Sequence, residues 1–189
     1  MDATGHNRGL TAVNAVLLLI LLAAEGVTIL SIRSLFTWHV VIGMLLVPPI
    51  LLKLSSTGWR FARYYLRHPA YVEAGPPAML LRATAPLVVL STLAVFGTGV
   101  AMAILGPSSH GLIGIHKASF IVWLAATGVH VLGHILRLPA LARRAQRPQF
   151  VAVLASLVAG VAIAGASVPL AHNWTSWIST HHHHEQGGG

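Results

Sequence analysis

Five long apolar runs constrain this chain more than any other feature. They cover about residues 10–31, 38–54, 83–105, 112–136 and 148–171. Each reaches or approaches the ~18–20 residues that carry a helix across the ~30 Å hydrocarbon core of a bilayer. Hydrophobic residues make up 55% of the chain and charged residues only 8%, against about 25% charged in an ordinary globular domain. The sequence therefore predicts an all-α membrane protein of five transmembrane helices, with little left over for a soluble domain. Five spans put the polar N-terminus, residues 1–9, and the tail, residues 172–189, on opposite sides of the membrane.

A net charge of +8 invites a nucleic-acid reading. Topology explains it better, because the arginines gather in loops between apolar runs. Arg60, Arg63, Arg67 and Arg82 lie in one loop; Arg137, Arg143, Arg144 and Arg147 lie in another; Arg8 precedes the first run. All fall on one side, leaving Arg33 and, near its edge, Lys117 on the other. The positive-inside rule then places the N-terminus and both arginine loops in the cytoplasm and the C-terminus outside. The expected location is the bacterial cytoplasmic membrane, with lipid as the first partner and no nucleic acid. The first run has the length of a span and no small-residue cleavage site after it, so it reads as a helix and not as a leader.

Local signals refine the spans. Pro48-Pro49 should kink the second helix, and Pro86 stands in the first turn of the third, where proline is tolerated. Gly58 to His68 reads as a short interfacial helix, with Arg60, Arg63 and Arg67 on one stripe and Trp59, Phe61 and Tyr65 as anchors; a stop-transfer flank fits it equally well. Cysteine is absent, which excludes disulfides, thiolate-held iron–sulfur clusters, thioether-attached haem and Cys-ligated zinc. The His-rich tail from Thr180 is low-complexity; a His run can bind metal or be a fragment of a purification tag, and it is assigned no native function.

Four histidines sit inside the oily part: His39, His116, His130 and His134. Ionisable side chains are costly there, so each is a functional hypothesis. At ~100° per residue, His130 falls ~40° from His116 and His134 falls back over it, so all three share one helix face. A rise of ~1.5 Å per residue puts His116 and His130 ~21 Å apart, with room for one haem near each surface. His39 opens the second span and His116 the fourth, and both helices run inward, so the two imidazoles share a depth. Imidazole ligates haem iron axially, and facing helices can hold a planar cofactor. The reading is a haem held between His39 and His116, one axial nitrogen from each. Gly43, Gly97, Gly99 and Gly128 would let a flat ligand or a second helix approach.

The inner level is less complete. Fourteen residues after His39 stands Lys53, which would snorkel to the interface, meet a haem propionate as a point charge or, more rarely, ligate iron as a neutral amine. His130 would need its second imidazole from His6, His68 or His134. Arg33 and Lys117 at the outer edge would pair with haem propionates or anchor the interface. Glu25 would take a quinol proton or bond a neighbouring helix; the second is preferred, since nothing near it in sequence completes a proton path. The plain alternative for every one of these histidines is a hydrogen bond to a neighbouring helix.

The stretch HVVIGMLLVPPILLKLSSTGWRF, beginning at His39, resembles the second helix of the prokaryotic cytochrome b561-type membrane proteins. It has a histidine, a glycine four later, a basic residue fourteen later and then Trp-Arg. The stretch HKASFIVWLAATGVHVLGH, beginning at His116, resembles that family's fourth helix. The likeness covers roughly the first four spans. It implies two b-type haems in a four-helix bundle and electron transfer between quinones and partner redox proteins. His39 and His116 match the outer-haem ligands, His130 matches one inner ligand, and Lys53 matches a basic residue that is not a ligand. In the family the other inner ligand comes from the start of the first helix. Here Thr11 and Asn14 occupy that place, and only His6 is nearby. The fifth span is additional.

The leading expectation is a membrane cytochrome holding one haem b, with room for a second. It would carry electrons between quinol and a partner redox protein, as a subunit of an oxidoreductase, with self-association left open. The protein would supply ligation and orientation, and the cofactor the redox chemistry. The alternative is a cofactor-free metal- or proton-linked transporter or accessory subunit, with His39, His116, His110 and His172 around a divalent ion. The scarcity of membrane carboxylates argues against it. A membrane anchor with a purely structural haem is a third reading.

Overall fold

In the computed structural model, which describes residues 3–73, 75, 79–133, 138–143 and 146–186, the apolar runs are helices. They are α1 (Ala3–Leu30), α2 (Ile32–Tyr65), the short α3 (Pro69–Glu73), α4 (Met79–Leu105), α5 (Leu112–Leu132), the short α6 (Leu138–Arg143) and α7 (Arg147–Gln186); a 3-10 turn, Gly106–Ser109, joins α4 to α5. No strand occurs among the described residues. Five helices, α1, α2, α4, α5 and α7, are long and apolar enough to cross a membrane. The protein is an all-α membrane protein, as its sequence predicts. Large apolar side chains such as Ile20, Leu51, Leu90, Ile121 and Val151 face outward on all five. A surface so apolar is a liability in water; in a bilayer it is the lipid contact. His134, the end of the fourth run near residue 136, and the side chains of the His-rich tail lie outside the described residues.

Helix α2 is the centre of the arrangement. It packs against α1, α7 and α4, whereas α5 leans chiefly on α4. The two tight connections, at Ser31 and at the 3-10 turn, lie at one end of the bundle, here the turn end. Helices α3 and α6 and most of the arginines lie at the other, the arginine end. A small core of Leu18, Leu46 and Ile50, with Leu22, Ile42 and Phe96 against it, joins α1, α2 and α4.

Three local expectations are revised. The stretch expected as a separate interfacial helix, Gly58 to His68, is mostly the end of α2, which runs unbroken to Tyr65. Ser56, which would start a loop, is instead gripped: its hydroxyl donates to Lys53 O, its carbonyl accepts from Asn7 Nδ2 at 3.2 Å, and Thr11 Oγ1 lies 3.3 Å from its Oγ. At ~1.5 Å per residue the continuous part of α2 past the break at Leu35, residues 36–65, is about 45 Å long, longer than the hydrocarbon core is thick. The aromatic and arginine anchors thus still reach headgroup depth; the Arg63 guanidinium lies 4.4 Å from the centre of the Trp59 ring. The helix stops at Leu66 in a Schellman turn. His68 N–H donates to Arg63 O, Arg67 N–H donates to Tyr64 O, and Arg67 takes φ 56° without being glycine. Second, α4 starts at Met79, so Pro86 lies inside the helix and not in its first turn. Third, α7 continues as helix past residue 171, through Pro169 and on to Gln186.

The proline pair in α2 exposes two carbonyls, Met44 O and Leu45 O, because each proline removes the N–H that would reach four residues back. The backbone torsions stay helical through both prolines, and the one interior break falls at Leu35 (φ −111°, ψ 19°). Gly160 of α7 lies directly against Leu45 O, so close that an added Cβ would overlap the oxygen. Glycine is required there because the α2–α7 crossing leaves no room for a side chain. One turn on, the Pro49 carbonyl accepts from Asn14 Nδ2 of α1 at 2.8 Å, with Asn14 fully buried.

Two outcomes follow for stability in detergent. Gly160→Leu should destabilise the protein by about 1–3 kcal/mol through overpacking, whereas Gly165→Ala, which meets nothing within 4 Å, should cost nothing measurable. Asn14→Ala should cost about 1 kcal/mol, the usual worth of an interhelical hydrogen bond in a membrane. Denaturant or dodecyl-sulfate titration followed by circular dichroism measures both.

Candidate functional site

His39 lies in the second turn of α2, just past the break at Leu35, and His116 in the second turn of α5. Both are half-buried at the turn end. Their ring centres stand 6.3 Å apart with the ring planes 82° from parallel. They are therefore neighbours across the gap between α2 and α5, at one depth. Between the helices lies a small open-mouthed cleft, lined by both histidines with Val40, Met44, Phe96, Phe120, Trp123 and other apolar side chains from α1, α2, α4, α5 and α7. An apolar lining with a few convergent polar groups is the usual character of a ligand site.

Each imidazole is fixed through Nδ1. On His39 that atom lies 2.7 Å from Glu25 Oε1 and 3.2 Å from Thr28 Oγ1, both on α1. The Thr28 hydroxyl already donates to Glu25 O at 2.6 Å, and an ionised carboxylate can only accept. With Glu25 ionised, Nδ1 of His39 carries the proton. On His116, Nδ1 lies 3.0 Å from Thr98 Oγ1 of α4. That hydroxyl donates to Ala94 O at 2.7 Å, so it too accepts from the ring. In both neutral rings the free lone pair is then on Nε2. Bonding at one nitrogen that leaves the other bare is how ligating histidines are usually prepared.

One glycine makes room for this: a Cβ on Gly99 would sit 3.2 Å from Cε1 of His116, tight enough to displace the ring, whereas one on Gly43 would make ordinary contact with Glu25 Oε1 at 3.6 Å. Trp174 of α7 closes the turn end of the cleft; its indole donates to Met102 O at 2.9 Å and its ring stands 6.4 Å from Phe36. Trp123 ties α5 to α4 by donating to Thr92 Oγ1 at 3.0 Å.

The other residues singled out from sequence are dispersed. His130 is half-buried in the last turn of α5. Lys53 donates to Thr11 O of α1 at 3.0 Å. His6, exposed near the start of α1, has Nδ1 3.0 Å from Gln149 Nε2 of α7. Arg33 and Lys117 are exposed at the turn end. His110 stacks on Trp177 with ring centres 6.1 Å apart, and His172 is exposed. Among the described residues no three His, Asp or Glu side chains gather as a metal cluster. Glu25 bonds a neighbouring helix, the preferred expectation, and its partner is His39 itself. Thr28, Thr98 and Trp174 were not singled out from sequence. Thr28 stands three residues after Glu25 and Thr98 beside Gly99, spacings that read equally well as helix packing. No family model, curated protein or solved structure matches this chain.

Proposed function

We propose that the protein is a membrane b-type cytochrome that carries electrons between a quinol and a partner redox protein, in the manner of the cytochrome b561-type family. The observation that carries this reading is the His39–His116 pair across an apolar cleft, each ring tied at Nδ1 with Nε2 left to bind. The donor set fits the group. Two imidazoles from facing helices, each with Nδ1 bonded to protein, are the donors that would hold the iron. Haem b, when bound, supplies one-electron chemistry.

The chain's own residues do the rest. His39 and His116 hold the iron, and Glu25 and Thr98 fix their tautomers. Val40, Met44, Phe96 and Phe120 exclude water and keep the local dielectric low. Arg33 and Lys117 stand exposed at the turn end as cations available to propionates. The arginine end faces the cytoplasm of a bacterial cell and the turn end faces outward, by the positive-inside rule. His130 is the inner imidazole for a second haem, whose other ligand would come from His6, His68, His134 or, more rarely, Lys53; His6 and Lys53 are bonded to protein. The divalent-ion site of a metal-linked transporter would need His110 and His172 beside the central pair, and no three His, Asp or Glu side chains gather among the described residues.

Protein purified from haem-sufficient cells should give the sharp reduced bands of six-coordinate low-spin haem and about one haem b per chain by pyridine haemochrome. His39→Ala and His116→Ala should each abolish those bands; a spectrum unchanged in both variants would refute the assignment. Alkaline phosphatase fused after α7 should be active, and fused within residues 66–78 inactive; the reverse pattern would invert the orientation.

A further inference from the structure

The two imidazoles are held by unlike partners. His116 leans on a neutral hydroxyl, Thr98 Oγ1 at 3.0 Å, while His39 leans on a carboxylate, Glu25 Oε1 at 2.7 Å. Of the chain's four acidic residues, only Glu25 falls inside an apolar run. A carboxylate at that depth is costly and persists only with a partner or a role. Thr28 Oγ1 stands 3.4 Å from its Oε2. The side chain is largely withdrawn from solvent, at 12% exposure, so its charge acts on His39 through a poorly screened medium.

We infer that Glu25 is a positioning residue for His39: its carboxylate holds the Nδ1–H tautomer, presents Nε2 as a lone-pair donor, and makes His39 the stronger of two unequal ligands. This inference rests on the haem reading above. A carboxylate accepting the ring N–H raises the basicity of the other nitrogen, and such partners typically matter 10–100-fold in metal affinity. A fixed negative charge beside the ligand also favours the more positive, oxidised state of the iron over the state reached by adding one electron. Thr98 orients His116 without that charge. The site is therefore electrically lopsided, with its negative pole on the α1–α2 side.

Glu25→Gln keeps an acceptor oxygen and removes the charge. In haem-loaded protein it should keep the low-spin spectrum while the reduction equilibrium moves at least about tenfold toward the reduced form, which is 59 mV for one electron. Glu25→Asp should stay nearer the wild-type potential, and Thr98→Val should move it less than Glu25→Gln does. Haem-loaded Glu25→Gln at the wild-type potential overturns this inference alone. Wild-type protein that binds no haem overturns the functional reading and this inference together. Should Glu25→Gln fail to fold, 15N chemical shifts of His39 in haem-free wild-type protein decide the matter. Protonated Nδ1 with bare Nε2 supports it, and the opposite tautomer refutes it.

Discussion

Helix α2 is clamped from two sides, and the rest of the bundle is arranged around that clamp. Its two prolines cost it backbone hydrogen bonds where lipid can replace none. Gly160 of α7 presses on the carbonyl that Pro49 leaves open, and Asn14 of α1 reaches the carbonyl of Pro49. The same defect that weakens α2 as an isolated helix thus specifies its neighbours. With α1 and α7 seated on it, α4 makes only a narrower contact, and α5 is held mainly through α4. The cleft between α2 and α5 is what that geometry leaves over. Its two histidines meet across the space where the helices themselves do not pack.

Along the α1–α2 seam the two ends behave differently. Toward the arginine end the helices are bonded side chain to backbone: Asn7 to Ser56 O, Lys53 to Thr11 O, Asn14 to Pro49 O. Toward the turn end the seam is Glu25 and Thr28 on His39. Those bonds run side chain to side chain and hold a ring in place. One end of the seam ties side chains to backbone; the other ties two α1 side chains to one imidazole.

The apolar runs made the five spans legible, because the length needed to cross hydrocarbon is a strong and nearly context-free signal. The meeting of His39 and His116 was legible too, from two positions at matching depth on two parallel helices. Helix ends were not. Ser55, Ser56, Thr57 and Gly58 look like a loop when read alone, and only the grip of Asn7 and Thr11 shows why α2 continues through them. Pro86 looked like a helix start because the polar residues before it hid the true start at Met79. The partners of the histidines were hidden for another reason. Thr28 and Thr98 act through a single oxygen each, and their proximity to a ring on another helix depends on crossing geometry that no local pattern records. Glu25 was visible as an oddity, and its object was not.

The hydroxyls show how little chemistry is needed to prepare such a site. A threonine within a helix commonly returns its proton to the carbonyl four residues earlier, as Thr98 does to Ala94 O. With that donor occupied, the oxygen can only accept, and any imidazole beside it must present N–H. The backbone of α4 thus sets the tautomer of a ring on α5 without a charge being buried. Glu25 achieves the same at His39 with a full negative charge, at greater desolvation cost. If orientation were all that was required, a second threonine would serve, and Thr28 is already in place 3.2 Å from the ring. The presence of the carboxylate as well as the hydroxyl is therefore better explained by its charge than by its hydrogen bond.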